Sequence, residues 1–241
     1  MVTLTLAFLV AGTVKGAIGA GLPTTAIAIL SAAIGLREAV PLLVVPAVAA
    51  NLWLVLSGGR AVHLVRRFWT MAAGACIGIW LGTMILFRVE PAPLSAVLGV
   101  AVCLYALVNL FTFDFRLPAH LERPLSPIVG LGSGMLTGAT GSMLLPMLVY
   151  LQALGLKKDD FVSALGQILL VASLVWAAAL ASEGALDRTT TLLSALALIP
   201  TGLGLLAGQW LRRRVSQTRF RTCIFVFLLI LGLNLLRQAL L

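Results

Sequence analysis

Charged residues are scarce in this chain of 241 residues. Asp, Glu, Lys and Arg together make up 10% of it, whereas 61% is hydrophobic. A typical soluble domain is about 25% charged and about half apolar, and the mean hydropathy here is +1.09. The composition excludes a soluble enzyme, a disordered tail and a nucleic-acid-binding domain, even though the formal net charge is +9.

Acidic side chains are rarer still, with eight Asp and Glu against 17 Lys and Arg. All eight lie in or beside the polar gaps between apolar runs. A carboxylate deep in an apolar segment is typical of proton relays and cation pathways, so a carboxylate-based antiporter or pump is disfavoured. Walker, GxSxG and HExxH motifs are also missing, which leaves ATP hydrolysis and hydrolase chemistry without visible machinery.

Cysteine and histidine are too few and too scattered for a metal or haem site. The three cysteines, Cys76, Cys103 and Cys223, lie in separate apolar runs, and the two histidines, His63 and His120, lie in gaps. We expect reduced, packed cysteines and neither a metal nor another cofactor.

Long apolar runs dominate what is present. Crossing a bilayer takes about 20 residues, and six runs reach that length. They occupy residues 39–57, 69–87, 94–113, 161–181, 190–211 and 222–240. The pattern predicts an all-α polytopic membrane protein. The five tryptophans are expected to anchor at the interface or to pack, at Trp53, Trp69, Trp80, Trp176 and Trp210.

Two further apolar stretches, 1–35 and 125–156, are broken by glycine and proline. The first is interrupted over 15–23, with the sequence KGAIGAGLP, and the second over 137–142, TGATGS, with Pro146 just beyond. Glycine and proline weaken helices. Irregular backbone inside a membrane is tolerated only where it is buried within the protein or lines a water-filled cavity. The pattern predicts broken helices in both stretches.

The broken stretches resemble copies of each other. Gly12, Gly16 and Gly19 match Gly134, Gly138 and Gly141 at an offset of 122, and the step Gly35-Leu36-Arg37 matches Gly155-Leu156-Lys157 at 120. Later, Gly74, Gly78 and Gly82 match Pro200, Gly204 and Gly208 at 126. The ordered series predicts a first repeat over 1–113, a cytoplasmic linker over 114–124 and a second repeat over 125–241, in one membrane domain.

The distribution of basic residues favours inverted repeats. If each broken stretch is a re-entrant hairpin beside three crossings, twelve basic residues fall on one side and four on the other. The twelve are Arg60, Arg66, Arg67, Arg116, Arg123, Lys157, Lys158, Arg212, Arg213, Arg214, Arg219 and Arg221; the four are Arg37, Arg88, Arg188 and Arg237. If each stretch crosses once, the halves are parallel and the split is seven to nine. Positive residues are retained inside, so the inverted arrangement is preferred.

The breaks are the predicted substrate site. Helix N-termini carry unpaired amides and a partial positive charge, and two such ends near the midplane suit an anion. Lys15 either faces this anion or snorkels to an interface. Asn51 and Gln167 either contact the anion or hydrogen-bond between helices. The predicted site residues are Lys15, Gly16, Gly19, Gly21, Thr24, Thr25, Asn51, Thr137, Gly138, Thr140, Gly141, Ser142 and Gln167.

The glycine-rich breaks resemble those of the TauE/SafE sulfite exporter family. The segment 15–21, KGAIGAG, is repeated loosely at 137–141, TGATG, and the size and duplicated halves are similar too. The second copy departs from the fuller pattern, with Ser142-Met143 where further glycines are often found. The resemblance implies a multi-pass transporter of sulfite, sulfonates or related small organosulfur anions in the bacterial inner membrane, with export as its direction.

Two other functions stay open at this point. An anion channel would use the same architecture with non-saturating conductance, and a non-transporting membrane subunit would need a partner protein. The expected contacts are a small anion and the lipid bilayer, without nucleic acid, and a homodimer is one alternative for the assembly.

The inverted topology is tested by labelling single cysteines. Cysteines placed at Arg60 and Arg188, in a background without native cysteines, are expected to react with an impermeant maleimide from opposite sides of the membrane. Reaction of both from one side would exclude the inverted repeats.

Overall fold

The computed structural model describes residues 2–18, 21–57, 62–110, 116–142, 146–214 and 217–240. Within them every regular element is a helix. The helices are α1 (Val2–Ile18), α2 (Leu22–Ile34), α3 (Leu36–Leu42), α4 (Val44–Ser57), α5 (Val62–Arg88), α6 (Pro91–Leu110), α7 (Ala119–Thr140), α8 (Met147–Ala153), α9 (Lys158–Ser182), α10 (Arg188–Leu196), α11 (Leu198–Arg214) and α12 (Gln217–Leu240). The predicted all-α membrane fold is confirmed.

Most of the predicted crossing segments correspond to helices of sufficient length. Four spans are long and apolar enough to cross a bilayer: Leu64–Arg88, Pro91–Val108, Asp159–Ser182 and Arg188–Leu211. The helices α3 and α4 form a fifth when taken together, bent by 41° at a break that precedes Pro46, which has no N–H group to donate to Leu42 O. The sixth predicted segment lies in α12, whose described apolar part, Ile224–Ala239, is shorter.

Several helices begin earlier than the sequence predicted, and α5 and α7 differ most. α5 starts at Val62, inside the predicted gap of residues 58–68, and is kinked at Phe68, where φ is −107° and ψ is 15°. α7 starts at Ala119, inside the predicted linker. The first turns of both helices are rich in charged residues. Because the prediction was based on apolar runs, it did not include these turns.

Both predicted breaks are present, and each occurs at a glycine with positive φ. The chain leaves α1 after Ile18 and enters α2 through Gly21, where φ is 94°; α7 ends at Thr140 before Gly141, where φ is 71°. This conformation favours glycine because a Cβ atom would be strained there. The two glycines are 120 positions apart, as are Gly35 and Gly155, which also have positive φ. α1 ends at Ile18 and α7 ends at Thr140, which are 122 positions apart, the offset at which Gly19 was matched with Gly141; Gly19 lies outside the described residues, and this match stays a prediction.

The predicted limits of the breaks were also too early. Lys15 lies in the last turn of α1, and Thr137, Gly138 and Thr140 lie in the last turns of α7, so none of these four is in irregular backbone. A cation is stabilised at the C-terminal end of a helix dipole, which is where Lys15 lies. Glycine weakened the helix signal at these positions, but it serves close helix packing there.

The three most extensive helix pairs each join one half of the chain to the other. α1 packs on α11 and α7 packs on α5, while α6 packs on α12 and α4 packs on α9. The predicted repeat matches α1 to α7 and α5 to α11, so exchanging the halves converts the first pair into the second. The predicted order of repeats is consistent with this pattern.

Glycines allow the backbones of these pairs to touch. A Cβ atom added at any of them would collide with a carbonyl oxygen of the facing helix, the geometry of small-residue membrane interfaces. Between α1 and α11 they are Gly12, Gly16, Gly204 and Gly208; between α5 and α7 they are Gly74, Gly78, Gly82, Gly130, Gly134 and Gly138. The matched glycines of the predicted repeat lie in these two interfaces, apart from those at the breaks and the pair Gly35 and Gly155, which have positive φ.

We expect Gly78→Ala to destabilise the protein strongly. The added methyl group would collide with the carbonyl oxygen of Leu131 and lie 2.7 Å from the backbone nitrogen of Met135, and backbone cannot move aside as a side chain can. Overpacking of this kind costs about 1–3 kcal/mol, which thermal unfolding in detergent micelles would measure. The matched control is Gly132→Ala on α7, where a Cβ meets nothing within 4 Å; equal stability of the two variants would contradict close backbone packing.

Candidate functional site at the two helix breaks

The two breaks meet in the interior of the bundle. Thr24 Oγ1, in the first turn of α2, lies 3.5 Å from Ser142 Oγ, which follows the end of α7. Thr24 is 0% exposed and Ser142 is 1% exposed. Residues 118 positions apart are thus joined by a buried contact between hydroxyl groups, and the broken stretches do not face lipid separately.

The end of α7 uses its own hydroxyls to satisfy its backbone. Thr137 Oγ1 donates to Ser133 O at 2.8 Å and Thr140 Oγ1 donates to Leu136 O at 2.7 Å. Thr140 Oγ1 also accepts from the backbone nitrogen of Ser142 at 3.3 Å. The predicted site residues Thr137 and Thr140 therefore support the break in this conformation by hydrogen bonds within the chain segment that forms it.

The polar groups at the start of α2 have fewer hydrogen-bond partners than those at the end of α7. Gly21 is its N-terminal flanking residue and makes no side-chain cap, and Pro23 follows in the first turn. Thr25 is 0% exposed, and its Oγ1 atom has no hydrogen-bond partner among the described residues. A Cβ atom placed at Gly21 would lie 3.9 Å from that oxygen. An uncapped helix N-terminus and an unpaired buried hydroxyl thus occur together.

Lys15 lines a cavity that is separate from the contact between the two breaks. A cavity of about 610 Å³ lies between α1, α4 and α11, and Lys15 is its only charged lining residue in the described chain. The remaining lining residues are Pro46, Ala49, Ala50, Trp53, Leu198, Ile199, Thr201, Gly202, Leu203, Leu205, Leu206 and Gln209. Thr24 and Ser142 are not among them, so this conformation does not unite Lys15 with the contact between the breaks.

Four other predicted site residues contact other parts of the protein, three of them between helices and Gln167 within its own helix. Asn51 Nδ2 donates to Leu169 O at 3.1 Å and joins α4 to α9, while Gln167 Nε2 donates to Ser163 Oγ at 3.2 Å within α9. Gly16 and Gly138 contact carbonyl oxygens of Leu205 and Ile79, so a neighbouring helix occupies the space that we expected a ligand to use. Gly19 lies outside the described residues. Substrate contacts at Asn51 and Gln167 remain predictions.

Trp176 lies beside the second break and was not among the predicted site residues. It is 0% exposed, and a Cβ atom placed at Gly141 would lie 3.5 Å from its Cζ2 and Cη2 atoms. Its Nε1 atom has no partner among the described residues. No signal in the sequence distinguishes Trp176, in the middle of an apolar run, from the four tryptophans that the structure exposes.

A polar cluster ties the beginning of α7 to α5 and α8. Arg67 Nε and Nη2 donate to Glu122 Oε1 and Oε2 at 2.6 Å and 2.8 Å. Tyr150 Oη donates to Glu122 O at 2.7 Å and lies 2.8 Å from Ser126 Oγ. The cluster holds α8 against α7 and so fixes both sides of the second break.

Comparison with known families decides the class of protein. The family model described as sulfite exporter TauE/SafE matches residues 4–235. The chain belongs to this family. No curated protein and no solved structure matches it significantly.

Membership of the TauE/SafE family gives the general function. The chain is a multi-pass membrane protein of the sulfite exporter type, which moves a small anionic substrate. This agrees with the candidate crossing helices of the structure, and TauE/SafE is a family of transporters.

Acidification is expected to weaken the contact between Arg67 and Glu122. The Arg67 hydrogen bond lowers the pKa of the Glu122 carboxyl below its ordinary value of 4.5, so the stabilisation is complete above that value and is lost as the pH falls through the lowered pKa. Because the Arg67 side chain is 41% exposed, the effect at neutral pH is no more than about 1 kcal/mol. Thermal unfolding of wild type and Glu122→Gln from pH 7 to pH 3 measures it.

The difference between the two proteins should shrink towards zero at the acidic end of this range. Glu90→Gln, at an exposed residue outside the cluster, is the matched control and should unfold like wild type throughout. A constant difference between wild type and Glu122→Gln across the range would contradict the ionic origin of the contact.

Proposed function

We propose that this TauE/SafE protein is a secondary transporter of sulfite, sulfonates or related small sulfur-containing anions in the bacterial inner membrane, and that the anion binds where the two breaks meet. Export is the direction that the family description suggests. The buried contact between Thr24 and Ser142 is the single observation that carries the location of the site.

The chemistry of the breaks suits an oxyanion. Sulfite and sulfonate oxygens accept hydrogen bonds, and Thr24, Thr25 and Ser142 offer hydroxyl donors beside the N-terminus of α2, a helix of 13 residues. The unpaired Thr25 hydroxyl is costly without a partner, and a bound anion would supply one.

Lys15 has a separate role in this proposal. Lys15 is a cation beside an apolar cavity at the end of α1. A positive charge raises the local concentration of an anionic substrate, so Lys15 would attract the anion into this cavity. The Lys15 cavity is then a position that the anion occupies before or after the breaks. The two positions would be used in different conformations of the transporter.

Alternating access would follow from the reciprocal packing of the two halves. The pairs α1 with α11 and α7 with α5 each join one helix of a break to a helix of the other half. Rocking one repeat against the other around a fixed midplane site is the usual motion of transporters with inverted repeats.

Flux measurements in proteoliposomes test this function. We expect saturable uptake of radiolabelled sulfite that is stimulated by sulfite or methanesulfonate on the opposite side, and at least tenfold slower flux in the Thr24→Val/Ser142→Ala variant. Ser182→Ala, at an exposed residue at the end of α9, is the matched control. Lys15→Ala is expected to lower flux at low substrate concentration through a higher KM.

Three outcomes of these measurements would contradict the proposal. Flux equal to that of empty liposomes would remove the transport function, and non-saturating conductance without counter-transport would indicate a channel. Full activity of the Thr24→Val/Ser142→Ala variant would move the site away from the breaks. Unchanged binding and flux of Lys15→Ala would remove Lys15 from the pathway.

A further inference from the structure

Trp176 lies against the second break with an unused hydrogen-bond donor. Its Cζ2 atom, which is separated from Nε1 by a single ring atom, would lie 3.5 Å from a Cβ atom at Gly141. The ring is 0% exposed and the Nε1–H group has no partner among the described residues. A buried indole usually pairs its N–H group, and leaving a buried donor unpaired is costly.

A second buried hydrogen-bond donor without a described partner lies at the first break. Thr25 is fully buried and its hydroxyl has no described partner, while Thr24 beside it reaches Ser142. Ser142 directly follows Gly141, which Trp176 contacts. The two unpaired donors therefore border the same junction from α2 and from α9, and one ligand with several acceptor oxygens can satisfy both.

The donors at this junction are all electrically neutral. The buried polar side chains in the described part of the chain are Ser, Thr and one Asn, without a Lys, Arg, Asp or Glu. Lys15, the cation nearest in sequence to the first break, lines the separate cavity described above. Desolvation energy grows with the square of the charge, so a dianion costs about four times as much to bury as a monoanion of equal size. Neutral donors compensate one charge far better than two.

We propose that Trp176 is a substrate-binding residue that donates its indole N–H group to the anion, and that the neutral donor set selects singly charged oxyanions. Sulfonates and hydrogensulfite are such anions, whereas sulfate and fully deprotonated sulfite carry two charges. This inference rests on the proposed function, since it assumes that the breaks bind the transported anion.

Calorimetric binding in nanodiscs tests both parts, with methanesulfonate as the monoanion and sulfate as the dianion. We expect wild type to bind methanesulfonate at least tenfold more tightly than sulfate. Trp176→Phe is expected to weaken methanesulfonate binding by about tenfold or more, the loss typical of a hydrogen bond to a charged group. Trp69→Phe, at an exposed tryptophan of α5, is the matched control and should bind like wild type.

A second variant keeps the test independent of folding. Replacing Trp176 by 3-benzothienylalanine retains the shape of the ring and substitutes sulfur for the N–H group, so its unfolding temperature should match wild type while its methanesulfonate affinity falls. Binding equal to wild type in this variant would overturn the role of Trp176 and leave the proposed function intact. Equal affinity for sulfate and methanesulfonate in wild type would overturn the charge selection, and absence of binding of every sulfur oxyanion would overturn the proposed function itself.

Discussion

A helix that stops inside a membrane leaves backbone groups without partners, and the rest of this structure depends on how two such ends are covered. Water is not available in the hydrocarbon region to satisfy them. Here each break lies against the other through Thr24 and Ser142, at complete or nearly complete burial. Thr140 also accepts a hydrogen bond from the Ser142 amide within the second break, and the contact of Thr24 with Ser142 joins the two halves of the chain at this junction.

The glycines of the chain serve two distinct physical purposes. Those at Gly21 and Gly141 permit positive φ angles where helices end. Those at Gly16, Gly78 and Gly138 let helix backbones touch, because the facing carbonyl oxygen occupies the space of the absent side chain. Close backbone packing at these glycines holds the broken helices against the other half of the chain.

The amino-acid sequence predicted the architecture better than the details of the site. Long apolar runs located the crossing helices, and the interrupted stretches were correctly predicted to break, because both signals depend on composition over many residues. The limits of the breaks were wrong at Lys15 and Thr137, since glycine lowers helix propensity equally whether it ends a helix or permits packing. Trp176 was missed because its proximity to Gly141 is a tertiary contact between α9 and α7, which no local pattern encodes.

The central claim is that the transported anion binds at the junction of the two breaks. A structure determined with 2-bromoethanesulfonate, whose bromine and sulfur atoms are readily distinguished in density, tests it most directly. We expect the sulfonate group within hydrogen-bond distance of Thr24, Thr25 or Ser142 and of the Trp176 indole nitrogen. Density for the anion elsewhere, for example only in the cavity beside Lys15, with the junction unchanged and empty, would contradict it.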